Sequence, residues 1–165
     1  MAELGPPDTH HLSATLGWIE LGNPREARAE FARLAPALAR HPEVLEAEWR
    51  LCAGEKDWPA ALAAAQRLID VDPEEPTGWI HQSYSLHELK RTQEARNQLL
   101  VVAEKFARIS TVAYNLACYA CQLGHLDEAR RWLQRAVQVR GRESIKFMAL
   151  TDPDLAPMRE DVERL

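Results

Sequence analysis

The sequence predicts an all-α fold: four stacked helix–turn–helix units followed by a C-terminal cap. Three observations carry this reading: a 34-residue internal period, helical spacing of apolar residues inside the units, and no stretch of sustained apolar–polar alternation. Ala27, Ala61, Ala95 and Ala129 recur every 34 residues. Their surroundings agree, in NPREARAEF, DWPAALAAA, RTQEARNQL and HLDEARRWL. Each begins with a turn- or cap-like residue and places Phe31, Ala65, Leu99 or Leu133 one helical turn past its alanine.

In chain order the helix pairs are expected at Thr9–Leu21 with Pro24–Ala39, Pro42–Ala53 with Trp58–Val71, Pro76–Leu89 with Thr92–Phe106, and Ser110–Leu123 with Leu126–Val139. Pro24, Pro42, Pro59 and Pro76 fall at or near helix starts, where a missing N–H is not needed. Pro73 lies just past a helix end. In the fourth unit Ala113, Leu116, Ala117, Ala120 and Leu123 follow i, i+3, i+4, i+7 spacing, and Gly124 ends the helix. Gly22 closes the first unit the same way, whereas Lys56 and Lys90 stand where glycine would help the turn.

The recurring alanines have a packing reason. Two helices crossing closely leave room only for a small side chain, and added methylenes there cost ~1–3 kcal/mol. One unit cannot bury its own apolar face, so stacking supplies the core and a polar-faced element must close the end. Arg142–Leu150, with Ile145, Met148 and Ala149 on one stripe, reads as that capping helix. Pro153 then breaks it, and Thr151–Met158 folds back to lay Leu155 and Met158 over remaining apolar surface. The expected organisation is a flexible N-terminus (1–7), four repeats (8–41, 42–75, 76–109, 110–141) and a cap with its tail (142–165).

Composition narrows the function. The 165 residues are 46% hydrophobic and 27% charged, with net charge −5 and pI ≈ 5.7. That is a soluble globular composition without the basic face of a dedicated nucleic-acid binder. No run approaches the ~18 apolar residues that span a bilayer, so no membrane partner is expected. Met1–Pro7 lacks a basic and an apolar region of a secretory signal, and three cysteines are no disulfide framework. The expected location is the cytoplasm.

The residues resemble the tetratricopeptide repeat, a 34-residue unit with the signature W-x2-L-G-x2-Y … A-x3-F … P. Trp79 matches its Trp, Leu116-Ala117 its Leu-Gly pair, the four alanines its Ala, Phe31 its Phe and Pro73 its Pro. The resemblance runs from Asp8 to Gly141. Ala39, Ala107 and Gly141 stand where Pro belongs, and Glu48-Trp49 replaces Leu-Gly in the second unit. DPDL endings like the one here follow the last helix of some bacterial proteins of this kind. The resemblance implies a right-handed α-solenoid whose first helices line a concave groove. It implies a non-enzymatic scaffold holding a peptide or helical segment of a partner protein.

A helical wheel puts Tyr114, Cys118 and Cys121 about 130° from the main packing stripe of their helix. The same offset in the other units gives a floor of Leu12, Leu16 and Ile19, then Glu46, Arg50 and Ala53, then Ile80, Tyr84 and His87. His81, Glu88, Asn115 and Gln122 lie at its margin. Tyr84 and Tyr114 are the expected anchors, with His81, His87 and Asn115 as hydrogen-bonding handles and Glu46–Arg50 as an i,i+4 pair. The carboxylate clamp of chaperone-tail binders needs Lys and Asn at set inner sites, where this chain has Leu12, Leu16, Ala47, Thr77 and His81. Such tails are therefore not expected partners, and Asn115 alone matches an asparagine slot.

The pair Cys118 and Cys121 in YNLACYACQL also fits a metal or thiol reading, with His87 or His125 completing a site. Against it, zinc needs more ligands and reactive CxxC pairs sit at helix N-termini rather than mid-helix. No HExxH, GxSxG or GxxxxGK[ST] motif is present, so neither catalysis nor a cofactor is expected. Self-assembly is the remaining alternative: Leu12, Leu16 and Ile19 would leave apolar surface on the first unit that a homodimer could hide.

Overall fold

Ala27, Ala61, Ala95 and Ala129 all end up with 0% exposure, as close helix crossings require. The computed structural model describes residues 3–165, and its regular elements are helical: no strand occurs among the described residues. The α-helices are α1 (Asp8–Glu20), α2 (Pro24–Phe31), α3 (Pro42–Gly54), α4 (Trp58–Val71), α5 (Pro76–Glu88), α6 (Thr92–Val102), α7 (Ser110–Gln122), α8 (Leu126–Arg140), α9 (Arg142–Thr151) and α10 (Arg159–Glu163). Short 3-10 turns lie at Pro36–Leu38 and Pro153–Met158. No described helix is long and apolar enough to cross a membrane.

The period is visible in the backbone. The turn between the helices of each pair passes through a left-handed residue, Gly22, Lys56, Lys90 and Gly124 at φ 70°, 58°, 64° and 79°. Glycine adopts this conformation without penalty; the two lysines adopt it against their intrinsic preference. Second helices start at caps where the sequence offers them. The Asn23 carboxamide oxygen accepts from the Glu26 N–H at 3.3 Å, and the Asp57 carboxylate from the Ala60 N–H at 3.2 Å.

Two helices end four or more residues earlier than expected. The expected Pro24–Ala39 helix stops at Phe31: the Arg33 and Leu34 N–H groups bond only three residues back, to Glu30 and Phe31, and Pro36 then holds Ala35 extended at φ −60°, ψ 132°. The expected Thr92–Phe106 helix stops at Val102, and the turns that follow bury Ala103 and Phe106 instead.

The chain packs as two compact units, the first ending at Ser85 and the second running from Leu86 to Leu165, so the boundary falls within α5. In the first, Leu12, Leu38, Val44 and Ala47 form a core cluster against which Leu4, Leu16, Phe31 and Leu34 pack. Of the expected flexible segment 1–7, residues 1 and 2 lie outside the described residues, while Leu4 is part of this packing. Of the three residues expected to drive self-assembly, Leu12 is buried at 4% exposure, while Leu16 and Ile19 are half-buried. At Gly78, a Cβ would meet Ile69 Cγ1 at 2.9 Å, which marks the close approach of α5 to α4.

In the second unit α7 packs on α8 and on the chain that follows the last repeat. Ile145 and Ala149 of α9 are buried, and Leu155 and Met158 of the 3-10 turn are each 1% exposed, as the fold-back reading requires. Val162 of α10 completes this closure.

Candidate functional site

Of the ten residues expected to line a binding face, five lie in the first unit: Glu46 and Arg50 on α3, with Ile80, His81 and Tyr84 on α5. Glu46 and Arg50 pair at 3.2 Å, both partly exposed, in an i,i+4 contact worth ~0.2–0.5 kcal/mol. Between them and α5 lies Trp49. Its place in the repeat is filled in the other units by Thr15, Ser83 and Ala117, all small and 0% exposed. An indole is too large for that place, so Trp49 stays half-buried and meets α5.

There it stacks on His81, ring centroids 3.6 Å apart and planes 3° from parallel. The Trp49 indole N–H donates to Ser85 Oγ at 2.9 Å, and the Ser85 hydroxyl donates to the His81 carbonyl at 2.8 Å. Tyr84 meets Trp49 edge-on at 6.2 Å and Trp58 at 5.7 Å, and remains 38% exposed. Contacts of this kind contribute ~0.5–1.5 kcal/mol each and fix ring orientation. Burial, with Arg50's charge nearby, pushes the His81 pKa down to about 4. Its ring is neutral at pH 7, and Nε2 is buried without a hydrogen-bond partner. His81 thus serves as a plate in an aromatic stack rather than as the outward polar handle expected of it. Ile80 beside it is half-buried.

Two clefts lie along α3, both lined by Glu43 and Glu46 and neither by the rings of this stack. One of about 140 Å³ is lined by Leu12, Leu16, Glu43, Glu46, Ala47 and Arg50. The other, about 170 Å³, is lined by Pro42, Glu43, Glu46 and Leu68 with Asp72, Glu75 and Thr77.

The second unit holds the other five, and its face is closed. Tyr114, Cys118, Cys121 and His87 are 6%, 4%, 3% and 7% exposed, not open as the wheel implies; Asn115 is half-buried. The covering element is the chain's own Asp152–Met158. Tyr114 Oη donates to Asp152 Oδ2 at 2.8 Å, and Cys118 Sγ lies 3.6 Å from the same oxygen. His87 Nε2 meets Asp154 Oδ2 at 2.9 Å while Nδ1 meets Thr92 Oγ1 at 2.9 Å. Gln122 donates to the Asp154 carbonyl at 2.8 Å, and Asp152 caps its own turn by accepting from the Asp154 N–H at 2.9 Å.

This clasp also bears on the thiols. Burial, with Asp152 and Asp154 beside it, raises the Cys118 pKa well above the usual thiol range and pushes Cys121 up to about 11. Both are protonated at neutral pH and so poor nucleophiles. Cys118 Sγ and carboxylate oxygens of Asp152 and Asp154 lie within 4.8 Å of one another, joined by the hydrogen bonding described. His125, which the metal alternative would use, lies 3.7 Å from Glu128.

Trp49, Trp58, Asp152 and Asp154 carry much of this arrangement, yet the sequence gives them no such role: Trp49 stands out only as a departure from the repeat signature, and the two aspartates only as part of the DPDL ending. A signal existed for Trp49, which breaks the small-residue pattern of its repeat position. The two aspartates flank a helix-breaking proline, a place where carboxylates cap turns.

No family model and no curated protein matches the sequence. Solved structures do share the fold. MamA 41-end from Desulfovibrio magneticus RS-1 is 17% identical with a TM-score of 0.71, covering 98% of each chain. TTC0263, a thermophilic TPR protein in Thermus thermophilus, is 16% identical with a TM-score of 0.70, covering 95% of each. Pseudomonas aeruginosa pilF is 18% identical with a TM-score of 0.73, over 94% of this chain and 69% of that one. At these identities the likeness defines the fold: all-α, of the tetratricopeptide solenoid class, as the 34-residue period predicts.

Proposed function

We propose that the chain is a non-enzymatic protein-binding module that holds a peptide or helical segment of a partner against the α3–α5 face of its first unit. One observation carries this: Tyr84 stands 38% exposed, its ring oriented by Trp49 and Trp58. A rigid aromatic held this way loses little conformational freedom on binding and offers a large area to bury. Glu46 and Arg50 border it as a polar handle. Tyr114, Cys118, Cys121 and His87 do not share this role while the chain's own segment covers them. The fold's likeness to a TPR protein supports the same general reading.

Anchors of this sort cost ~2 kcal/mol or more when truncated. The test is capture from native lysate on immobilised wild type, Tyr84→Ala and Tyr114→Phe, with helicity checked by circular dichroism. Tyr84→Ala should lose proteins that wild type retains at unchanged helicity, and Tyr114→Phe should retain them. Identical capture by wild type and Tyr84→Ala overturns the assignment.

A further inference from the structure

The docking face of the first unit has a polarity along α3 and α5. Glu43, Glu46 and Arg50 follow one stripe of α3, while Thr77, His81 and Tyr84 follow one stripe of α5. The 170 Å³ cleft joins Glu43 and Glu46 to Thr77 near the starts of both helices, with Asp72 and Glu75 in its wall. The Trp49–His81 stack and the Tyr84 edge contacts lie further along. One end is therefore carboxylate-lined and the other aromatic. Of the carboxylates lining the two clefts, Glu43, Glu46, Asp72 and Glu75, only Glu46 has an ionic partner among the described residues, Arg50. Four negative charges face one positive charge.

We propose that the occupant is a short basic-and-apolar peptide segment, whose Lys or Arg enters the carboxylate-lined clefts while an aromatic or large aliphatic side chain packs on Tyr84. This rests on the docking reading above and adds the chemistry of the partner. An acidic segment is disfavoured at such a surface by like-charge repulsion, and a neutral one leaves the cleft carboxylates without a counter-charge. A guanidinium suits both ends, since it pairs with carboxylates and stacks on aromatic faces. The seven positions from Glu43 to Arg50, like those from Thr77 to Tyr84, rise about 10 Å along their helices. An extended segment covers that in roughly three residues, so the basic and apolar side chains stand about three apart; in a helical segment they stand about seven apart.

The experiment selects random dodecapeptides displayed on phage against the full chain, then measures the most enriched peptide by fluorescence polarisation. Three further proteins are tested: Tyr84→Ala, the triple variant Glu43→Gln/Asp72→Asn/Glu75→Gln, which leaves the Glu46–Arg50 pair intact, and Tyr114→Phe as control. The expected result is enrichment of Lys- or Arg-bearing peptides with an apolar residue at one of those spacings. Affinity should fall at least tenfold in Tyr84→Ala and in the triple variant, and should weaken with added salt. Peptides that need Tyr84 but are acidic or neutral, or that bind the triple variant equally well, overturn this inference while leaving the docking site standing. Selection no better on wild type than on Tyr84→Ala removes the docking site as well.

Discussion

Tyr84 and Cys118 occupy the same position of the repeat, as do Ile80 and Tyr114, yet the two units treat these positions oppositely. Tyr84 is 38% exposed; Cys118 is 4% exposed and Tyr114 6%. The helices carrying them are alike in length, 13 residues each, and the difference comes from outside the repeat. In the second unit Asp152–Met158 returns across α7, placing a carboxylate on the Tyr114 hydroxyl and burying Leu155 and Met158. In the first unit the corresponding face carries rings held by one another. The same stripe is thus structural glue in one unit and available surface in the other. What decides is whether a non-repeating segment supplies acceptors for the polar groups along it.

Truncating one tyrosine in each unit gives the largest contrast. Tyr114→Ala removes a buried ring, leaves Asp152 without its phenolic donor and opens a cavity, a loss of about 3 kcal/mol or more. Tyr84→Ala gives up two edge contacts at a partly exposed site, a loss of ~1–3 kcal/mol. Urea unfolding followed by circular dichroism measures both. Equal losses would erase the distinction between a sealed and an open face.

Acid and alkali should separate the units next. In the first, the folded-state pKa of His81 is about 4, below the usual 6.5, because burial disfavours the imidazolium. The unfolded chain takes up the proton first, so stability present above pH 6.5 is lost as pH falls through 4. At about 1.4 kcal/mol per pKa unit this is of order 3 kcal/mol. In the second unit Cys121 is raised to about 11 from 9, so its contribution is complete below pH 9 and is lost as pH rises through 11. Cys118 and Tyr114 are shifted in the same direction by burial and by Asp152. Urea midpoints at pH 7, 4.5 and 10 test this, with His81→Phe expected to reduce the acid loss and leave the alkaline loss unchanged. An undiminished acid loss in His81→Phe would show that burial of this imidazole is not its source.

Much of this architecture is legible in the sequence because the period reports contacts between near neighbours. Ala61 and Ala129 must be small wherever paired helices cross, and Ile145 and Leu155 must cover an open end. The end of α2 is less so: the expected helix runs through Pro36 to Ala39, whereas α2 ends at Phe31. The closure over Tyr114 is a different kind of fact. A helical wheel gives the direction of a side chain and says nothing of what arrives there, and the acceptor, Asp152, lies 38 residues downstream. The aromatic stack is intermediate. Trp49 announces itself by filling a small-residue position, but its pairing with His81 and Tyr84 depends on how α3 and α5 lie together.

The smallest effect is also the one most directly tied to the repeat. Lys56 and Lys90 adopt φ 58° and 64° where Gly22 and Gly124 serve the other turns. A side chain held in that conformation costs ~1–2 kcal/mol, while the extra freedom of glycine in the unfolded chain returns ~0.5–1 kcal/mol of that on substitution. Both lysines are exposed, so little else is lost on their removal. Lys56→Gly and Lys90→Gly should each stabilise by about 0.5–1 kcal/mol, Lys56 in the first unit and Lys90 in the second. The reverse changes, Gly22→Ala and Gly124→Ala, should destabilise, although an added Cβ would meet nothing within 4 Å at either position. Opposite signs for the two pairs of variants isolate the backbone contribution; lysine-to-glycine changes that destabilise would mean the lysine side chains stabilise these turns by contacts that outweigh their strain.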